Sequence, residues 1–272
     1  MSRYSSQASV GLSAQEIDVA YGRDVVVHAA SVTLRAGTVT ALIGPNGSGK
    51  STFLRALARL HPPTSGEVRF ADGTDLRALS AKDLAQRITL LSQQRTAPGG
   101  LSVRELVEFG RHPHRSRWTG HDPDGPAAVE RAMELTGLSA IADRPVQALS
   151  GGQAQRTWLA GCLAQDTGLL LLDEPTTFLD LRYQVEILDV VRDLADQHGV
   201  GVGVVLHDLD QAAAVADRLL LLENGRVSAE GTPDDVLTSA NLTRAYGIEV
   251  EVHRADGRIH TRAVGRFNTA SL

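Results

Sequence analysis

The chain has a single cysteine, Cys162, among its 272 residues, so no disulfide can close within it. That suits a reducing compartment. Cys162 falls in an apolar helical pattern and reads as core filler rather than as a nucleophile. Positive charge is not in excess: 27 Lys and Arg stand against 32 Asp and Glu, a net charge of −5. This argues against broad electrostatic binding to nucleic acid. No apolar run approaches the roughly 18–20 residues that a bilayer-spanning helix needs, and the opening Met1–Gln7 lacks the apolar core of a signal peptide. The expectation is a soluble, cytosolic chain. Internal repeats and low-complexity segments are also missing. What is present is 42% hydrophobic residues, enough for one domain or two closely packed ones.

The most informative stretch is Gly44-Pro45-Asn46-Gly47-Ser48-Gly49-Lys50-Ser51. It fits G-x-x-x-x-G-K-[ST], the phosphate-binding P-loop. Glycines let backbone approach a polyphosphate closely, and the loop N–H groups form a nest for anionic oxygens. Lys50 supplies a positive charge for the outer phosphates, and the Ser51 hydroxyl can hold Mg²⁺. Val39–Ile43 reads as a buried strand entering the loop, and Thr52–Leu60 as the helix leaving it. The helix N-terminus adds its positive end to the same site, so Gly44 through Thr52 are the candidate nucleotide-binding residues.

Around this motif, strands alternate with helices, which implies an α/β sheet with ligand at the strands' carboxyl ends. Val25–Val27 and Val32–Leu34 look like two strands of a small antiparallel sheet, and Gly66–Phe70 like another strand before an Asp72-Gly73 turn. Ser80 with Asp83, and Ser102 with Glu105, are helix-start patterns. Ile88–Leu91, Leu169–Leu172 and Val202–Leu206 read as buried core strands. Thr96–Gly100 is loop-like, and Arg111–Pro126, rich in His, Pro, Gly and Arg, reads as surface loop. A helix then runs from about Ala127 to Thr136. Leu181–His198 has helical periodicity stopped by Gly199, and Leu219–Val227 reads as a hairpin on Asn224-Gly225. The fold class expected is a P-loop NTPase core with a mainly parallel sheet, an N-terminal antiparallel β-subdomain and an inserted helical subdomain. The core covers about 12–97 and 165–231, the helical insert about 98–164, and 232–272 forms a small C-terminal extension with helices near Thr232–Leu237 and Leu242–Tyr246 and a strand at Ile248–Val252. No chemistry can be assigned to that extension.

Two further features carry chemistry. The apolar strand Leu169–Leu172 ends in Asp173-Glu174. In P-loop enzymes such an Asp holds Mg²⁺, and Glu174 stands where it can orient or deprotonate a water aimed at the γ-phosphate. A surface carboxylate just past a strand is the plainer alternative. Leu149-Ser150-Gly151-Gly152-Gln153 places two glycines before a helix, another phosphate-ready N-terminus.

These three motifs, in this order, resemble the nucleotide-binding subunit of an ATP-binding cassette (ABC) transporter. Gly44–Ser51 matches its Walker A sequence, Leu169–Glu174 its Walker B, and Leu149–Gln153 its signature without change, over a resemblance running from about Leu12 to Gly231 and an ATPase domain of 1–231. The resemblance implies ATP and Mg²⁺ as ligands, with Mg²⁺ near Ser51, Gln93 and Asp173. It places an adenine-stacking aromatic at Tyr21, the Q-loop glutamine at Gln93, the D-loop at Leu179-Asp180 and the switch histidine at His207. A strand-edge aromatic, an ordinary polar strand end at Gln93 (with Gln94 next to it), a helix N-cap at Asp180 and a structural histidine are the bland counterparts. It further implies a homodimer in which Ser150, Gly151, Gly152 and Gln153 of one copy meet the γ-phosphate on the other copy's P-loop. Glu174, His207 and Gln93 are then the catalytic set. Two membrane permease subunits, an extracytoplasmic substrate-binding protein and a peripheral location on the cytoplasmic face of the membrane complete the expectation, with no nucleic acid.

Phe109-Gly110-Arg111-His112-Pro113-His114 resembles a segment of importers for ferric siderophores, haem and vitamin B12, and Leu172–Asp180 and His207–Ala212 resemble the same group, its siderophore members above all. Haem, cobalamin or another metal chelate is the alternative cargo. A soluble cassette ATPase and a nucleotide-binding regulator without turnover are the readings from other classes. Ala154 departs from the basic or polar residue usual after the signature. His112, His114 and His121 do not have the spacing of a zinc ligand set and read as solvated, in a segment suited to contact with the permease. Arg115 and Arg117 there fit a solvated face equally well.

Overall fold

The computed structural model describes residues 11–93, 99–116 and 119–265. Gln94, Arg117 and most of the loop expected at Thr96–Gly100 lie outside these residues.

Strand β1 (Gly11–Tyr21) is flanked by β2 (Asp24–Arg35) and β4 (Ser65–Phe70), both antiparallel to it. The two short strands expected at Val25–Val27 and Val32–Leu34 are therefore one. The interruption between them, His28-Ala29-Ala30-Ser31, is a bulge, not a turn. Ala29 adopts φ +45°, and its N–H donates to Asp18 Oδ1 at 2.8 Å, so the displaced backbone group stays satisfied.

The central sheet has the order β5 (Ile88–Leu91), β6 (Leu169–Asp173), β7 (Gly201–Val205), β3 (Val39–Ile43), β8 (Arg218–Glu223), β9 (Arg226–Gly231). The first five are parallel and β9 returns antiparallel. Strands β3, β6 and β7 are buried along their whole length, as their mainly apolar sequences require. The Asn224-Gly225 turn has both residues at positive φ, the primed geometry that matches strand twist. Loops leaving β5, β6, β7 and β3 emerge side by side at the carboxyl edge, which is where ligands of open α/β sheets bind.

Helices α1 (Lys50–Leu57), α2 (Ala81–Ala85), α6 (Leu181–His198) and α7 (Leu209–Val215) accompany this sheet, while α3 (Val103–Phe109), α4 (Gly125–Leu135) and α5 (Gly151–Ala164) share a separate apolar cluster. Ser80 caps α2 through the Asp83 N–H, and Ser102 with Glu105 closes a capping box on α3. Cys162 is half-buried and packs against the central core.

Arg111–Pro126 is less superficial than its composition suggests. Arg111 is buried, donates to both Asp122 oxygens (2.7 and 2.9 Å) and to the Ala164 carbonyl (2.9 Å). The guanidinium next to it holds the Asp122 carboxyl below the ordinary value. Next to it, a Cβ on Gly110 would fall 1.9 Å from the Gly161 carbonyl oxygen, so only glycine lets α3 approach α5 this closely. His114 is engaged as well, its Nε2 2.7 Å from the Gln165 carbonyl oxygen. Helix α4 starts at Gly125 with Pro126 in its first turn.

Past the sheet come α8 (Pro233–Val236), α9 (Ser239–Tyr246) and a hairpin of β10 (Val250–Ala255) and β11 (Arg258–Ala263). Val236, Leu237 and Leu242 are fully buried in the same core as β3 and β7. The extension is thus packed into the body of the fold.

Candidate active site

A cleft of about 180 Å³ opens where β3, β6 and β7 end. Asn46, Gly47, Gly49, Lys50, Ser51 and Thr52 form one wall, Val26 flanks it, and Glu174 and His207 face it.

The P-loop conformation is dictated by its glycines. Gly44 has φ +139°, and a Cβ there would lie 2.1 Å from the Leu222 carbonyl oxygen. Gly49 has φ +96° and sits against the Val26 carbonyl. The loop is held from below by the β8–β9 turn, whose Gly225 N–H donates to the Ser48 carbonyl at 3.1 Å. Lys50, 5% exposed, donates from Nζ to the Gly44 and Pro45 carbonyls at 2.8 Å each. Burial pushes its ammonium below the ordinary lysine value, and Glu174 and Asp173 oppose that shift. The Ser48 hydroxyl is buried with no hydrogen-bond partner. The Lys50 amine, held at the cleft wall by two backbone carbonyls, fits a phosphate oxygen in their place.

Asp173, the last residue of β6, is wholly buried. Its Oδ1 accepts from Ser51 Oγ at 2.7 Å. Its Oδ2 has no hydrogen bond and stands 3.5 Å from the Arg55 guanidinium. A hydroxyl beside a carboxylate with a spare oxygen fits Mg²⁺, which takes one or two protein ligands and completes its shell with water and phosphate. Among the described residues no cluster of three or more His, Cys, Asp or Glu is placed to cage a metal, and such a Mg²⁺ site needs none.

Glu174 is the meeting point of three strand ends. His207 Nε2, after β7, is 2.6 Å from its Oε1. Gln93 Nε2, after β5, donates to Oε2 at 2.8 Å, and Thr177 Oγ1 adds a bond at 3.3 Å. Glu174 itself holds φ +54°, a conformation uncommon outside glycine and typical of strained functional positions.

The remaining residues singled out from sequence lie elsewhere on the chain. Tyr21 ends β1, 46% exposed, its ring stacked on His61 with centroids 4.2 Å apart, and it does not line the cleft. Ser150 and Gln153 close a capping box at the start of α5 (3.1 and 3.3 Å). The two signature glycines differ. A Cβ on Gly152 would meet the Tyr183 ring at 2.6 Å, whereas one on Gly151 would meet nothing within 4 Å. Asp180 precedes α6, exposed and without a capping bond. Beside it Phe178 is 96% and Leu181 74% exposed. Sequence reading passed over Arg55 and Thr177. Arg55 stands four residues after Ser51 on α1, a spacing that places both on one helix face; Thr177 has no such signal.

Residues 27–177 match the sequence profile of a family described as "ABC transporter". The chain is 42% identical over 237 residues to the ferric enterobactin transport ATP-binding protein FepC of Escherichia coli (strain K12), covering 87% of each chain. It is 41% identical over 241 residues to the iron(3+)-hydroxamate import ATP-binding protein FhuC of Bacillus subtilis (strain 168), covering 89% of each. Among solved structures, the dimeric bacterial ABC transporter cassette MJ0796 superposes with a TM-score of 0.71 at 27% identity, over 82% of this chain and 98% of that one.

Proposed function

The chain belongs to the ABC transporter family, as an ATPase whose hydrolysis is coupled to transport, and we propose that it drives an importer of ferric siderophores. The observation that carries the hydrolytic part of the reading is the convergence of His207 and Gln93 on Glu174 beside the P-loop.

In this reading the P-loop N–H groups and Lys50 take the phosphates of ATP, Lys50 exchanging the Gly44 and Pro45 carbonyls for phosphate oxygens. Mg²⁺, held by Ser51 and Asp173 with Gln93 nearby, would neutralise charge on the transferring phosphoryl group. Glu174 accepts the proton of the water that attacks the γ-phosphorus as the bond to ADP breaks. His207 and Gln93 fix both carboxylate oxygens, so that the base is aimed before substrate arrives. Adenine would stack on the exposed part of the Tyr21 ring, beside its existing stack with His61.

A second copy completes the pocket. Bare Gly151 is demanded by nothing among the described residues of its own chain, which suits an N-terminus kept open for a phosphate across an interface. The apolar pair Phe178 and Leu181, with unpaired Asp180 between them, suits a face that a partner covers. Two such copies sit beneath two permease subunits on the cytoplasmic side of the membrane, with an extracytoplasmic binding protein selecting cargo. No helix of the described residues is long and apolar enough to cross a membrane itself. Relatives named for ferric enterobactin and for iron(3+)-hydroxamate support the ferric-chelate class.

The test is to co-purify the chain with its membrane partners and measure ATP-dependent uptake of labelled ferric siderophores against haem and cobalamin. Uptake confined to haem or cobalamin rejects the siderophore cargo. Complete absence of ATP hydrolysis by the wild-type complex rejects the reading as a whole.

A further inference from the structure

The C-terminal extension reaches the site from behind at two points. Tyr246, the last residue of α9, has a buried hydroxyl that completes no hydrogen bond. It lies against the Gly44 backbone amide at the mouth of the P-loop. Two residues earlier the Arg244 guanidinium stands 3.5 Å from Glu223, at the end of the strand whose turn supports Ser48.

At the other point, β11 grips α7. The Thr261 N–H and Oγ1 both donate to Asp210 Oδ1, at 2.9 and 2.8 Å, and His260 Nδ1 stands 3.3 Å from Oδ2. Asp210 lies three residues after His207, in the first turn of α7. The opposite flank of that turn is tied to the core. The Gln211 N–H donates to Asp208 Oδ1 (2.9 Å), its Nε2 to Gln184 Oε1 (2.7 Å), and its Oε1 accepts from Thr176 Oγ1 (3.2 Å). A helix of seven residues has little stability of its own, so tertiary contacts set where it sits. One side of this helix is placed by the ATPase core and the other by the C-terminal hairpin.

We propose that the β10–β11 hairpin is a positioning element for hydrolysis: Thr261 fixes Asp210, Asp210 fixes the first turn of α7, and that turn sets the angle at which His207 meets Glu174. Neither Thr261 nor Asp210 touches the reacting atoms. The inference rests on the hydrolytic roles proposed above for Glu174 and His207.

The experiment uses the full chain in complex with its membrane partners. Thr261→Val should lower kcat about threefold and Asp210→Ala about tenfold, since small misplacements at a reacting centre are magnified in rate. ATP affinity should stay within about twofold, because the P-loop is not disturbed. Thr261→Ser, which keeps the hydroxyl, should restore the rate, and the double variant Thr261→Val with Asp210→Ala should be no slower than Asp210→Ala alone. Wild-type kcat in both single variants overturns the proposal. So does a parallel loss of kcat, ATP affinity and melting temperature without rescue by serine, which would make the hairpin a generic stabiliser. A Glu174→Gln variant hydrolysing at the wild-type rate would instead remove the hydrolytic reading itself, with the hairpin untouched, so the two failures are told apart.

Discussion

His207 Nε2 and Glu174 Oε1 are 2.6 Å apart, although they stand 33 positions apart in sequence and leave different strands of the sheet. The carboxylate they share with Gln93 is held at both oxygens before any nucleotide arrives. Glu174→Gln should therefore preserve ATP binding, which rests on the P-loop, while hydrolysis drops by about 10²–10⁴-fold, the usual contribution of a general base. Nucleotide-binding and phosphate-release assays on the same purified complex check both halves. Near-normal turnover would remove Glu174 from the mechanism.

The signature glycines should part company on mutation. Gly152→Ala drives a methyl into the Tyr183 ring, itself beneath the Arg156 guanidinium at 5.6 Å. Overpacking of that kind costs about 1–3 kcal/mol, so the melting temperature of the isolated chain should fall. Gly151→Ala meets open space and should leave it unchanged or slightly raised, yet it should depress hydrolysis in the assembled complex. Equal thermal effects would mean that the chain's own packing, not a partner's ligand, explains both glycines.

The buried Arg111–Asp122 pair predicts an asymmetric result. Asp122→Ala strands a buried guanidinium and should cost about 3–5 kcal/mol, whereas Arg111→Met combined with Asp122→Leu should cost much less. Denaturant unfolding of the three proteins measures this directly.

Asp72 gives a pH signature. Bonds from Thr74, through side chain and backbone, and from Arg87 hold its carboxyl down to about 2. A depressed folded value means stability present above the ordinary 3.8 and lost as pH falls from there toward 2. Asp72→Asn should thus weaken the chain near neutrality by less than about 1 kcal/mol, given its exposed setting, with the deficit vanishing in acid. Urea melts between pH 6 and pH 2 would show the two curves converging.

Legibility from sequence followed the range of the forces involved. Gly44–Ser51 was readable because its demands are local: positive φ at Gly44 and Gly49 and a lysine at a fixed offset. The position of Glu174 and His207 at the carboxyl edge of the sheet is legible because each closely follows an apolar strand. The single strand β2 was not, because the interruption at Ala29 is repaired by Asp18, eleven residues away in sequence. Arg111 looked like surface because its charge is cancelled only by Asp122 in the fold. Strand β11 is not legible in the sequence, since Arg258-Ile259-His260-Thr261 offers little apolar alternation and its stability comes from β10 and from Asp210. Arg55 looked like any helix-surface arginine until Asp173 was placed beside it.

Phe178 has consequences for how such a subunit is made. A phenyl ring 96% in water, on a residue held at φ +63°, is a standing liability for any copy released alone into a crowded solution. Synthesis of this chain out of step with its companions should therefore yield a larger clumped fraction than balanced co-expression does.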